Sequence, residues 1–217
     1  MNEGFSIWLG LMDFLNPIIY TLFFITLVRG LKEKKADPGM VKVLTAGAII
    51  SMAAGYVIAF GKTLVGLGII HFTLPVPLFY TTDIGFLISG VTLLLIYKNK
   101  TYKGLKTWVK IVCPVVFIAL SVFVCVSQGA NSGAQLTAAI GTFLIYGTMI
   151  AMAVRAKNWL AMVLAIVPIL TTAALIPYSA SVDLTDPATH WVIEPTNIAG
   201  QLALWLSAIL QFKKKAK

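Results

Sequence analysis

The sequence predicts an all-α integral membrane protein: one membrane domain over residues 1–217, seven transmembrane helices, the amino terminus outside and the carboxyl terminus cytoplasmic, with a parallel 3+1+3 repeat. Three observations predict it. First, 59% of the 217 residues are hydrophobic and only 12% are charged, with a mean hydropathy of +0.89, against roughly 45–50% apolar and about 25% charged residues in soluble domains. Second, the apolar residues fall in blocks of about 20, the length that crosses a ~30 Å hydrocarbon core at 1.5 Å per residue. Third, the basic residues are sorted between alternate connecting segments.

The blocks in order are about 5–28, 40–61, 76–97, 107–127, 134–154, 158–178 and 195–212. The first carries Asp13, Asn16 and Pro17 inside an otherwise apolar run. A carboxylate in hydrocarbon costs roughly 2.5–3.5 kcal/mol on insertion scales, so it is expected to face a protein interior or a water-filled cavity. Pro17 removes one backbone donor and loosens the turn before it. Segment 29–39 is polar and closes with Pro38-Gly39; 98–106 follows the third block, 155–157 the fifth, and a lysine run ends the chain. These four segments and their flanks hold every Lys and Arg except Lys62, while Glu3, Asp183, Asp186 and Glu194 fall on the opposite side. By the positive-inside rule the first side is cytoplasmic, and only an odd number of spans preserves this sorting. The chain is therefore placed as a multi-pass protein of the plasma or inner membrane. The net charge of +9 is a topology signal by its placement, and nucleic acid is not an expected partner.

Two outer segments are more than turns. Residues 61–75 are too apolar for a solvated loop and too short and glycine-rich for another span, which suggests an interfacial cap. Residues 179–195 are polar, with Trp191 suited to the headgroup level, and 129–133 read as a short turn. Cys113 and Cys125 share one span, ~18 Å apart along a helix, too far for a disulfide.

A shift of 126 residues lays Ile18-Ile19-Tyr20 on Leu144-Ile145-Tyr146 and Val28-Arg29 on Val154-Arg155. A shift of 115 lays Gly85 on Gly200 and Lys98 on Lys213. Repeat 1 then covers about 5–97, a linker helix about 107–127, and repeat 2 about 134–212, related by an axis along the membrane normal.

Asp13, Asp83 and Asn197 each precede the basic residue that closes their span by 15 or 16 positions, ~23 Å along a helix, in the outer third of the core. Asn16 and Gln201 lie one turn deeper on the same faces. With Tyr20 and Tyr146 below them, these seven residues form the candidate solute-binding site between spans 1, 3 and 7. The two carboxylates are read as having no intramembrane Lys or Arg partner, and proton coupling follows from their proximity. No catalytic residues, metal site or cofactor are expected: GxSxG, HExxH and phosphate-cradling glycine loops are absent from the sequence, and no Lys precedes Lys213 in the last span to hold a retinal.

Thr196-Asn197-Ile198-Ala199-Gly200 resembles the asparagine–glycine start of the seventh helix in the SWEET and PQ-loop transporter superfamily. Thr82-Asp83-Ile84-Gly85 stands in the corresponding place of the third, with Asp for Asn, and Pro17 and Pro168 resemble two of that family's helix-bending prolines. The chain departs from the family in having no Pro-Gln dipeptide and no prolines in spans 2 and 5. The resemblance implies a carrier for a small polar solute bound between the triplets, Asp83 facing Asn197, with membrane lipid as surroundings and a homo-oligomer left open. Two other functions are compatible with the residues. One is a membrane-embedded enzyme using these carboxylates on a lipid or prenyl substrate; the other is a non-catalytic accessory subunit whose polar groups bind helices together.

Overall fold

The computed structural model describes residues 6–70, 76–107, 115, 119, 130–182 and 186–213. All regular structure among them is α-helical. The expected fourth span, with Cys113 and Cys125, lies almost wholly outside the described residues.

The first span is two helices, α1 (Ile7–Asp13) and α2 (Leu15–Glu33), broken at Phe14. Pro17 is the cause, because it offers no N–H to the carbonyl four residues back, which is that of Asp13. Helix α2 ends at Lys34, and Lys35 takes a left-handed φ of 57°. Asp37 then caps α3 (Pro38–Gly66), accepting from Met40 N at 2.9 Å, with Pro38 in the first turn. Its carboxylate also accepts from Tyr102 N at 3.0 Å. The Tyr102 and Met40 amides hold it below the usual carboxylate range. Next come α4 (Val76–Tyr97), α5 (Ala130–Arg155), α6 (Trp159–Ser181, with Pro168 and Pro177 inside) and α7 (Pro187–Phe212).

Three expectations are corrected. Residues 61–66 are not part of a cap; they extend α3 by more than a turn, since nothing breaks the helix before Gly68, at φ 69°. Residues 187–195 are not a loop. Asp186 accepts from Ala188 N at 2.9 Å and Pro187 follows it, so the helix starts eight residues early and runs through Pro195. The turn at 129–133 is helical from Ala130.

By length and composition Ile7–Glu33 and Pro38–Gly66, of 27 and 29 residues, can cross a membrane; Thr81–Tyr97, Ala139–Arg155 and Trp159–Leu175 are shorter apolar stretches. The helices pack as a closed cycle, α2–α3–α4–α5–α6–α7 and back to α2, with α1 against α3. Phe23, Leu27, Leu44, Leu93, Met149 and Leu204 fill its middle. Serines stitch neighbours together: Ser51 Oγ donates to Thr82 O at 2.7 Å, and Ser207 Oγ to Ala161 O at 2.7 Å. Backbones approach closely at Gly85, where a methyl group would lie 2.6 Å from Ser51 N, and at Gly200, where it would meet Thr171 and Pro168.

Gly85→Ala should therefore force α3 and α4 apart and lower stability by about 1–3 kcal/mol. Gly147→Ala, with nothing within 4 Å of the new methyl, should be neutral or stabilising. Thermal unfolding of the two purified variants in detergent compares them directly.

Candidate functional site

The kink at Phe14 brings buried Asp13 to the flank of α3, where Asp13 Oδ2 lies 2.5 Å from Lys62 Nζ. Lys62 is itself buried and reaches Glu194 Oε1 at 3.4 Å. Asn16 Nδ2 donates to the other oxygen, Glu194 Oε2, at 2.7 Å. His190, one turn before Glu194 on α7, places Nδ1 3.5 Å from Oε1. Four helices thus meet at one ionic cluster, with two carboxylates sharing one ammonium and an imidazole beside them.

This corrects the view of Asp13 as a carboxylate without a basic partner. Lys62 was assigned to an outer loop because the second span was ended near residue 61, and Glu194 and His190 because a polar stretch was read as a loop. The signals were present: Asp186-Pro187 is a helix-start pair, and His190 and Glu194 are spaced i, i+4. Lys62, the lone cation on the acidic side, is where a shared counter-ion was needed.

The other predicted residues are distributed more widely. Tyr20 and Tyr146 hydroxyls meet at 2.9 Å, and the Tyr20 ring packs edge-on against Phe86 at 4.8 Å. Asp83 is buried on α4, one turn from Phe86, and makes no hydrogen bond or ion pair among the described residues. Asn197 is half-buried one turn beyond Glu194, and Gln201 is buried one turn further. Buried Gln201 Oε1 and Asn16 Oδ1 lack partners. Asp13 and Asn16 are thus joined to each other through Lys62 and Glu194, and Tyr20 to Tyr146. No bond links Asp83, Asn197 or Gln201 to either group. Among the described residues, no group of three or more His, Cys, Asp or Glu could hold a metal ion.

At the opposite, basic end a cavity of about 450 Å³ opens between the ends of α2, α4 and α5. Leu31, Ile96 and Met152 line it together with Tyr97 and Arg155. No family model, curated protein or solved structure matches the chain.

Deleting the shared cation should leave two buried, unbalanced carboxylates. Lys62→Met should therefore cost about 3–5 kcal/mol, seen as a large drop in melting temperature in detergent. The neutral triple variant Asp13→Asn/Lys62→Met/Glu194→Gln should recover most of that loss. Equal losses in both would mean that packing, not charge balance, holds these helices.

Proposed function

We propose that the protein is a multi-pass carrier of the plasma or inner membrane, moving a small polar solute between two three-helix units. The carrying observation is the asymmetry of its ends: a shut ionic cluster at one and an open cavity at the other. That pairing is what an inward-facing carrier requires, with a closed outer latch and an inner vestibule.

Membrane embedding is supported by the charge sorting and by large apolar side chains left exposed around the bundle, among them Trp8, Ile49, Phe60, Leu160 and Leu170 at 57–69% exposure. A 3+1+3 repeat of the SWEET and PQ-loop kind is supported by helix packing. Span 1 (α1 and α2) contacts α3 and α7, and α5 contacts α6 and α4, as a two-fold exchange of triplets demands. At the 126-residue shift, buried Ile19, Tyr20, Phe23 and Leu27 fall on buried Ile145, Tyr146, Met149 and Ala153. Gly85 and Gly200, 115 apart, each press on the second helix of their own triplet. Two equivalent residues can touch only across the axis relating them, so Tyr20–Tyr146 marks the axis and bars the path along it.

Asp13 and Asn16 then belong to the latch. Asp83, Asn197 and Gln201 remain for the solute in the outer half, with Asp83 the group through which a proton would couple. Asp83 also favours a second reading, since a buried carboxyl without a counter-ion suits protonation of an apolar lipid or prenyl substrate. Product formed by purified protein in detergent, and lost in Asp83→Asn, would replace the carrier reading.

The carrier reading is tested without knowing the solute. In a Cys113→Ala/Cys125→Ala background, Met152→Cys should react with a membrane-impermeant maleimide from the basic side, and Asn197→Cys should not react from the other. Adding Lys62→Met, which leaves two unpaired carboxylates that gain hydration when the latch opens, should reverse both. A labelling pattern that ignores the latch would rule out alternating access.

A further inference from the structure

The cavity at the basic end is lined by Lys34, Lys35, Lys100 and Arg155, with Asp37 the only acidic residue among the described residues that line it. Among the described residues, none of these four cations has a carboxylate within ion-pair distance. Lys34 Nζ instead lies 4.5 Å from the Phe212 ring centre, and the Arg155 guanidinium 6.0 Å from that of Tyr97.

Topology alone explains why cations gather at this end, but it does not explain a concave arrangement. Three helix C-termini reach the rim and would attract cations, since each carries about half a negative charge. All three are already closed by the chain itself: Ala36 N donates to Leu31 O, Lys100 N to Leu95 O and Asn158 N to Ala153 O, at 3.0, 2.9 and 2.9 Å. Those bonds put Lys35, Asn99 and Lys157 in left-handed backbone, φ 57°, 55° and 53°. Four cations exceed Asp37 and the helix ends together, so the cavity keeps a net positive charge. Its floor of Leu31, Ile96 and Met152 is apolar and continuous with the core.

We propose that this cavity is an anion site that takes a small carboxylate- or phosphate-bearing ligand, with Arg155 and Lys100 among the groups that bind its charge and the apolar floor its short carbon frame. A volume of about 450 Å³ lies within the usual range for small-molecule sites, roughly 300–1,000 Å³. The planar guanidinium offers paired donors matched to either oxyanion. The charged group could belong to a soluble anion or to a lipid headgroup whose tails leave between helices. For a soluble anion the site would be the inner end of the carrier's path and so would rest on that reading; as a binding site it does not.

Titration of the purified full chain in non-ionic detergent separates these cases, with inorganic phosphate, succinate and dioctanoyl phosphatidylglycerol as probes in separate arms. Arg155→Gln and Lys100→Gln should each weaken binding of the recognised probe roughly tenfold, and raised salt should weaken it further. Lys106→Gln, an exposed cation outside the cavity, should leave it unchanged. Binding of phosphate or succinate identifies a soluble ligand, and binding of the lipid alone identifies a headgroup. No saturable binding in any arm, or equal losses in all three variants, overturns the site. Because the assay needs no gradient, a carrier that transports but binds no anion here would sink this inference alone. Anion binding without alternating access would sink the carrier alone.

Discussion

One ammonium between two carboxylates governs the far end of this molecule. Lys62 can reach Asp13 and Glu194 only because α3 runs on to Gly66, α7 starts at Pro187, and Pro17 breaks the first helix beside Asp13. Each feature would be an oddity alone: an overlong helix, a proline inside another, a carboxylate in an apolar run. Together they solve one electrostatic problem. A buried carboxylate needs a counter-charge and hydrogen bonds to its remaining oxygens. Here Asn16 and His190 approach the oxygens of Glu194 that Lys62 leaves incompletely held.

Below that cluster the balance changes from charge to packing. Tyr20 sits between Phe24 and Phe86 and spends its hydroxyl on Tyr146. Thr21 turns its own hydroxyl back to the Pro17 carbonyl at 2.7 Å, in the turn that follows the kink. The kink is local: α2 is helical from Leu15 to Glu33. A two-fold relation between triplets would give the Tyr20–Tyr146 contact a simple origin, because a residue on an axis meets its own equivalent.

Much of this was legible in the sequence, though not the site. The apolar blocks locate the described helices, and the 126-residue shift pairs Tyr20 with Tyr146, whose hydroxyls meet at 2.9 Å. The sequence places Asp13 toward a protein interior or a water-filled cavity, but without a basic partner. Its partner was missed because composition was used to end helices, and membrane-length reasoning stops a span at about 20 residues whereas α3 has 29. Residues beyond that length were assigned to loops, and with them Lys62, His190 and Glu194. Capping chemistry was the better guide, since Asp186-Pro187 marks a helix start whatever the polarity that follows. The cavity was invisible for another reason: it is built from three helix ends far apart in sequence, and nothing in their order shows that they leave space between them.

The two ends differ in what a change of state would require. In the proposed carrier, opening the outer latch would expose Asp13, Lys62 and Glu194 to water, which would resolvate each charge. A buried pair that is roughly break-even against hydration therefore opens at far lower cost than deletion of Lys62 would suggest. Closing the cavity at the basic end would be the harder half of such a cycle. Lys34, Lys35, Lys100 and Arg155 would lose water while drawing closer to one another, and Asp37 balances only one of them. Were closure to bring two of them to ~6 Å, they would repel by about 3 kcal/mol at an effective dielectric constant of 20, which would favour an open, empty cavity by roughly a hundredfold. A bound anion removes that penalty. In the proposed carrier the inner end would then close on a loaded site far more readily than on an empty one, and the coupling of solute to movement would reside in the cavity's uncompensated charge, not in the latch.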